Sequence, residues 1–272
     1  MIGAGPGFRG GRLGRRNELG HEPSHELGAT NATNVEMNIE MNHTEKSTAA
    51  VLPALSAADV FDLDVLRATP LRRDPYEHLV LPGFVKPAAL ERINADYPRI
   101  DHPGSFPLDS LKFGPAFQAM ADALESPEFR KAFEEKFGMD LSSQPTTITV
   151  RGRCGSRDGH IHNDSASKII TVLLYMNPGW DNSGGRLRLL RSRADINDFA
   201  AEVPPSGGTL VAFLRSDRSW HGHLPFIGER RVIQFNWVTG NDSRRVALFR
   251  HRLSASIKHL LGFVGPSRPE YS

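Results

Sequence analysis

The sequence predicts a mostly β fold with flanking helices, a β-sandwich or jelly roll, and three observations carry that expectation. Beyond Gln144, short apolar runs alternate with turn signals at 147–151, 168–177, 186–190, 208–214, 220–224 and 231–238. Before them, 110–137 carries apolar residues at helical spacing, with Phe117, Met120, Leu124, Phe129, Phe133 and Phe137 on recurring faces. The 272 residues, 39% hydrophobic and 24% charged, suffice for one sizeable core.

Taken in order, residues 1–50 are rich in Gly, Asn, His, Glu and Thr and nearly free of aromatic residues. They cannot bury enough apolar area to offset ordering entropy, so a disordered tail is expected. Met37 and Met41 lie inside it, so an overlong start is a live alternative. Residues 51–143 form a helical support region with an entry strand: His78–Leu81 reads as the strand, Pro82-Gly83 as a turn, and Pro87–Ala95 as a helix opened by proline. In 110–137, Ser126-Pro127 divides the pattern into two helices. Residues 144–240 are the expected jelly-roll core. Residues 241–272 return to helical spacing, and a C-terminal helix over 246–263 is expected to cover a sheet with Leu248, Phe249, Leu253, Ile257, Leu260 and Leu261.

Composition excludes several function classes. The 33 basic and 31 acidic residues give a net charge of +2 without a long block of one sign, so neither nucleic acid nor a membrane surface is implied as a partner. The longest apolar run, 169–176, is far short of the ~18 residues that would span a bilayer. One cysteine, Cys154, rules out an internal disulfide framework and a cysteine-built metal cluster, and points to a reducing cytoplasmic compartment. Its default role is that of a small packed hydrophobe. The N-terminal arginines are followed by no apolar stretch of a secretory signal.

The chemistry concentrates in His160-Ile161-His162-Asn163-Asp164. An imidazole and a carboxylate two residues apart project from one face of an extended strand toward one ion. With 11 histidines and 31 acidic residues, about one such triplet arises by chance, and His43-Thr44-Glu45 is a decoy of the same form. Weight comes from His221, several strands later in Trp220-His221-Gly222-His223, followed by Arg230-Arg231. Two histidines and one carboxylate leave coordination positions open, which suits ferrous iron with a chelating cosubstrate and dioxygen better than a closed zinc site. The paired arginines offer a fork for the far carboxylate of a dicarboxylic cosubstrate. Strand parity alone does not choose between His160 and His162, nor between His221 and His223.

These motifs resemble the iron(II)/2-oxoglutarate-dependent dioxygenases of the prolyl 4-hydroxylase-like branch. The resemblance runs from about Pro75 to Val238 and rests on His162-Asn163-Asp164, Leu174-Tyr175-Met176-Asn177, Ser183-Gly184-Gly185-Arg186-Leu187, and His221 with Pro225, Arg231 and Trp237, all in the family's order. The segment from Tyr76 to Phe84 is similar to the family's entry strand. The resemblance implies a double-stranded β-helix, with N-terminal helices packed on the major sheet and a C-terminal helix. It implies Fe(2+) held by His162, Asp164 and His221, with 2-oxoglutarate and O2 as cosubstrates and ascorbate as a support. The expected reaction is hydroxylation of a C–H bond in a prolyl residue or a small molecule, with release of succinate and CO2.

The same frame assigns the cosubstrate carboxylate to Arg231 in preference to Arg230, because Arg231 lies six before Trp237, and pairs it with Tyr175. Ile233 departs from the pattern, standing where relatives often carry Ser or Thr. Gly184-Gly185 reads as a turn or a close backbone approach, Trp180 as the anchor of a loop, and Trp220 and Trp237 as core aromatics beside the site. Two other readings stand beside the hydroxylase: a jelly-roll binding module without catalysis, and a cupin-like dioxygenase that does not use 2-oxoglutarate.

Overall fold

A computed structural model describes residues 56–240. The expected N-terminal tail and C-terminal helix lie outside the described residues. Five α-helices precede the main run of strands and two short strands are set among them. Helices α1 (Ala57–Val60) and α2 (Leu63–Ala68) start at side-chain caps on Ser56 and Asp62, and the sequence reading had not foreseen either. Strand β1 (His78–Leu81) and helix α3 (Pro87–Ala95) follow as expected, then the two-residue strand β2 (Phe106–Pro107).

Helices α4 (Pro115–Glu125) and α5 (Pro127–Phe137) are the anticipated pair. Ser126 ends the first and caps the second, its hydroxyl accepting from Phe129 N at 3.2 Å. Pro127 then occupies the first helical position, where no amide donor is needed. Gly138 closes α5 in the left-handed region at φ 66°, a conformation that glycine adopts without penalty.

The remaining strands are β3 (Thr146–Cys154), β4 (Lys168–Tyr175), β5 (Leu187–Leu190), β6 (Phe199–Val203), β7 (Leu210–Leu214), β8 (His221–Gly222) and β9 (Gly228–Val238). They form a six-stranded sheet ordered β1-β7-β4-β9-β3-β2 and a three-stranded sheet ordered β6-β5-β8. All the pairings within both sheets are antiparallel. A major and a minor antiparallel sheet make the expected jelly roll. β6 went unread in the sequence because Phe-Ala-Ala-Glu-Val lacks a clear alternation, and all but its last residue are only partly buried.

Strand parity divides the major sheet into two chemically different faces. From β9, Ile233, Phe235 and Trp237 point toward the helices, where they join Ile170, Val172 and Leu174 of β4 and Ile148 and Val150 of β3. Phe129 of α5 stacks on Trp237 at 6.0 Å between ring centroids and meets Phe235 edge-on at 5.7 Å, while Phe133 lies 5.0 Å from Trp237. Trp237 therefore belongs to the helix-covered core, and the expectation that it flanks the site is corrected. The opposite parity carries Tyr175, Leu173 and Val232 into a smaller cluster with Leu187 and Leu189 of the minor sheet.

Phe129 touches α5's own core, Phe61, Phe84 and the sheet. Phe129→Ala is expected to lower stability by about 3–5 kcal/mol, because its neighbours come from several elements and cannot all collapse into the void. Denaturant titration measures this; a loss below ~1 kcal/mol would contradict the packing.

His78 is 1% exposed; its Nδ1 bonds the Tyr76 carbonyl at 2.8 Å, and its Nε2 is buried without a partner among the described residues. Burial pushes its pKa below the ordinary 6.5. Above about 6.5 the ring is neutral in folded and unfolded chains alike. As pH falls below that value the unfolded chain takes up the proton first, so stability drops until the depressed folded value is passed. His78→Gln should flatten this slope between neutral and mildly acidic pH in thermal melts. An unchanged slope would reject the assignment.

Candidate metal centre

A main-chain bridge brings the two histidines together. His162 and His221 pair antiparallel, each amide donating to the other's carbonyl at 3.0 Å. Directly paired residues share a face, so their rings lie 4.3 Å apart. β8 is held in turn by β5, with His221 opposite Leu189. Asp164, two residues beyond His162, returns to the same side. Ligand atoms of His162, Asp164 and His221 all lie within 4.8 Å of one another, and among the described residues this is the group of His, Cys, Asp and Glu able to hold a metal ion. His160 and His223 share parity with the ligands but stand outside that group.

Each imidazole is oriented by its Nδ1, which bonds a backbone carbonyl at 2.9 Å: His160 O for His162 and Ser219 O for His221. With Nδ1 as donor, Nε2 is left as a lone-pair ligand, an arrangement that second-shell carbonyls commonly enforce. His221 is 5% exposed, with Phe213 4.9 Å from its ring. Burial, foremost, depresses its pKa to about 4, so it is a neutral ligand at ordinary pH. Asp164 is 8% exposed, accepts from Lys168 Nζ at 2.7 Å and from Thr171 Oγ1 at 2.6 Å. Burial raises its pKa, but the Lys168 charge, foremost among the opposing causes, with these hydrogen bonds outweighs that, so the carboxylate stays ionised with a pKa below its usual value.

These groups open onto a cavity of about 370 Å³ between the two sheets, walled by Thr171, Leu173, Leu187, Val232 and Gln234. Arg230 also lines it, 6% exposed, with its Nε donating to Gly185 O at 2.8 Å and its guanidinium 5.2 Å from the Tyr175 ring centroid. Tyr175 is fully buried on the same face, and among the described residues its hydroxyl has no acceptor for its proton. Gly184 and Gly185 serve the close approach anticipated for them. A Cβ on Gly184 would overlap the Pro225 carbonyl oxygen, and Gly185 has φ +72° with the Trp180 ring against it. Trp180 anchors that loop, donating to Gly184 O at 3.0 Å and packing on Phe226 at 4.6 Å.

Residues 152–239 match the sequence profile of the 2OG-Fe(II) oxygenase superfamily. Over that stretch the chain is similar to a 2OG-Fe(II) oxygenase domain. Among solved structures, it is similar to a prolyl-4-hydroxylase of Pseudomonas putida at 18% identity, with 71% of this chain and 97% of that one covered and a TM-score of 0.49. It is similar also to a viral collagen prolyl hydroxylase of Paramecium Bursaria Chlorella virus-1 in complex with 2OG, at 14% identity, 60% and 95% coverage and a TM-score of 0.42. A third likeness is to HygX of Streptomyces hygroscopicus with nickel and 2-oxoglutarate bound, at 15% identity, 62% and 84% coverage and a TM-score of 0.43. No curated protein matches the chain.

Iron(II) and 2-oxoglutarate are the cofactor and cosubstrate of such an oxygenase, and the residues present fit both. Two imidazoles and an ionised carboxylate facing one point are a donor set for a divalent ion with open positions. The orphaned Tyr175 hydroxyl beside a buried arginine fits an incoming carboxylate, which would accept from both.

The two adjacent arginines of β9 fall on opposite faces. Arg231 does not enter the cavity: its Nε pairs with Glu229 at 2.7 Å, its Nη1 reaches Asn94 at 3.4 Å, and its guanidinium lies 5.1 Å from the Tyr97 ring centroid on the helix-facing side. The reason is parity. Arg231 falls on the face of Ile233, Phe235 and Trp237, whereas Arg230 falls with Val232 and Gln234 on the cavity face. The signal was present in the sequence, since the apolar alternation ending at Trp237 marks the helix-covered face. Thr171 and Lys168, both in contact with Asp164, were not picked out beforehand, and nothing in their spacing marks them.

No helix among the described residues is long and apolar enough to cross a membrane.

Proposed function

We propose that the protein hydroxylates a C–H bond of a small-molecule or peptidyl substrate, consuming 2-oxoglutarate and O2 and releasing succinate and CO2. The observation that carries this reading is that His162, Asp164 and His221 line one cavity with Arg230, whose guanidinium lies against the buried Tyr175 ring. In this reading His162, Asp164 and His221 hold the iron, while Arg230 and Tyr175 receive the far carboxylate of 2-oxoglutarate. Bound iron with its cosubstrate supplies the activated oxygen that replaces a substrate hydrogen by hydroxyl.

The chain's own residues do the rest. The His162–His221 bridge fixes ligand spacing before any ion arrives, so little ordering entropy remains to be lost. Arg230 anchors the cosubstrate by its distal end and so orients the reactive end toward the histidines. Leu173, Leu187 and Val232 exclude water along its length. Residues 144–240 form the functional core in this proposal and 51–143 its support. A reducing cytoplasmic setting agrees with a lone, buried Cys154.

The test is succinate formation from 2-oxoglutarate by purified protein with ferrous iron and ascorbate. Turnover that depends on iron is expected. A protein that takes up neither iron nor manganese under anaerobic conditions would sink the reading in favour of a binding module.

A further inference from the structure

The cavity holds more positive charge than iron and 2-oxoglutarate use. Its walls carry Arg151, Arg157, Lys168 and Arg230 against the carboxylates Asp158 and Asp164. A metal dication and a dicarboxylate dianion cancel, so loading leaves that surplus in place. The partners can be assigned in turn. Arg230 is committed to the cosubstrate and Arg151 to Asp158 at 3.3 Å. Lys168, 2.7 Å from Asp164, must share that carboxylate with a dication once the metal binds. Arg157 is exposed in the turn over 156–159 and forms no hydrogen bond or ion pair among the described residues.

Arg157 and Lys168 flank His162 and Asp164 in sequence and line the same cavity. A neutral substrate would leave two cations without a counter-charge beside a metal dication, at a cost in repulsion. A carboxylate or phosphate would relieve it, since arginine offers a planar fork to either group and lysine a point charge. The cavity volume of about 370 Å³ lies near the low end of small-molecule sites, roughly 300–1,000 Å³, and the cosubstrate takes part of it. We infer that the substrate is a small anion whose carboxylate or phosphate is held by Arg157 and Lys168, rather than an internal stretch of polypeptide. This inference rests on the function proposed above and names its substrate class.

The experiment uses the full chain loaded with Mn(II) and saturating 2-oxoglutarate without oxygen. Loading is confirmed first by uptake of both. Phenylacetate and phenyl phosphate are then compared with the neutral phenylacetamide and phenol, binding being read from the relaxation that Mn(II) imposes on probe protons. The anions are expected to bind at least about tenfold more tightly than their neutral counterparts, and less so as salt is raised. Whichever of the two anions binds better assigns carboxylate or phosphate. Arg157→Gln should remove most of the preference and Arg157→Gln with Lys168→Met all of it. If Lys168→Met fails to load, Arg157→Gln decides alone. Neutral probes binding as well as anions, no anion binding, or a preference that survives Arg157→Gln, as it would if anions sat on the metal itself, overturns the inference. Failure of the wild type to load would instead overturn the function proposed above.

Discussion

His221→Ala and His162→Ala are expected to lower iron-dependent succinate formation by more than about 100-fold while leaving the fold intact. Outer partners of metal ligands already cost about 10–100-fold when removed, and loss of a ligand itself costs more. The fold should survive because the bridge between the two residues is made of main-chain hydrogen bonds, which alanine retains. His160→Ala and His223→Ala are the matched controls: each is near the site and neither belongs to the metal-holding group, so both should keep metal uptake. Circular dichroism and metal analysis accompany the assay. Full turnover in both ligand variants would show that the metal is held elsewhere.

The second large effect separates two adjacent arginines. Arg230→Ala should raise the 2-oxoglutarate concentration needed for half-maximal turnover by about 100-fold or more, the scale of ~3–5 kcal/mol for removing one partner of a buried charge pair. Arg230→Lys should recover only part, because lysine lacks the fork. Arg231→Ala should leave that requirement within about twofold. It loses only a half-exposed ion pair with Glu229 and contact with Tyr97, worth about 0–1 kcal/mol of stability. The opposite pattern in steady-state kinetics would restore the assignment to Arg231.

Much of the architecture was legible because the long strands carry their own period. The strands that became β3, β4, β7 and β9 were read within a few residues, and Ser126-Pro127 gave the boundary between α4 and α5 through cap chemistry that acts locally. β6 and the short helices α1 and α2 were not, since their positions are set by packing partners distant in sequence. At the site, parity could pair His162 with Asp164 but not reject His160, because all three share a face. What separates them is the bridge to His221, a contact between remote segments. Arg230 and Arg231 show the converse: neighbours on a strand must oppose, and only the sheet face covered by helices says which one looks inward.

The two amide–carbonyl bonds joining residues 162 and 221 place the ligand positions through peptide groups that every amino acid except proline possesses. The centre therefore behaves as a socket whose spacing belongs to the backbone and whose chemistry belongs to whatever side chains are fitted into it. Cysteine, carboxylate or a larger heterocycle at either position would point at the same spot. On this backbone, the choice of metal is open to change by substitution without rebuilding the sheets that carry it.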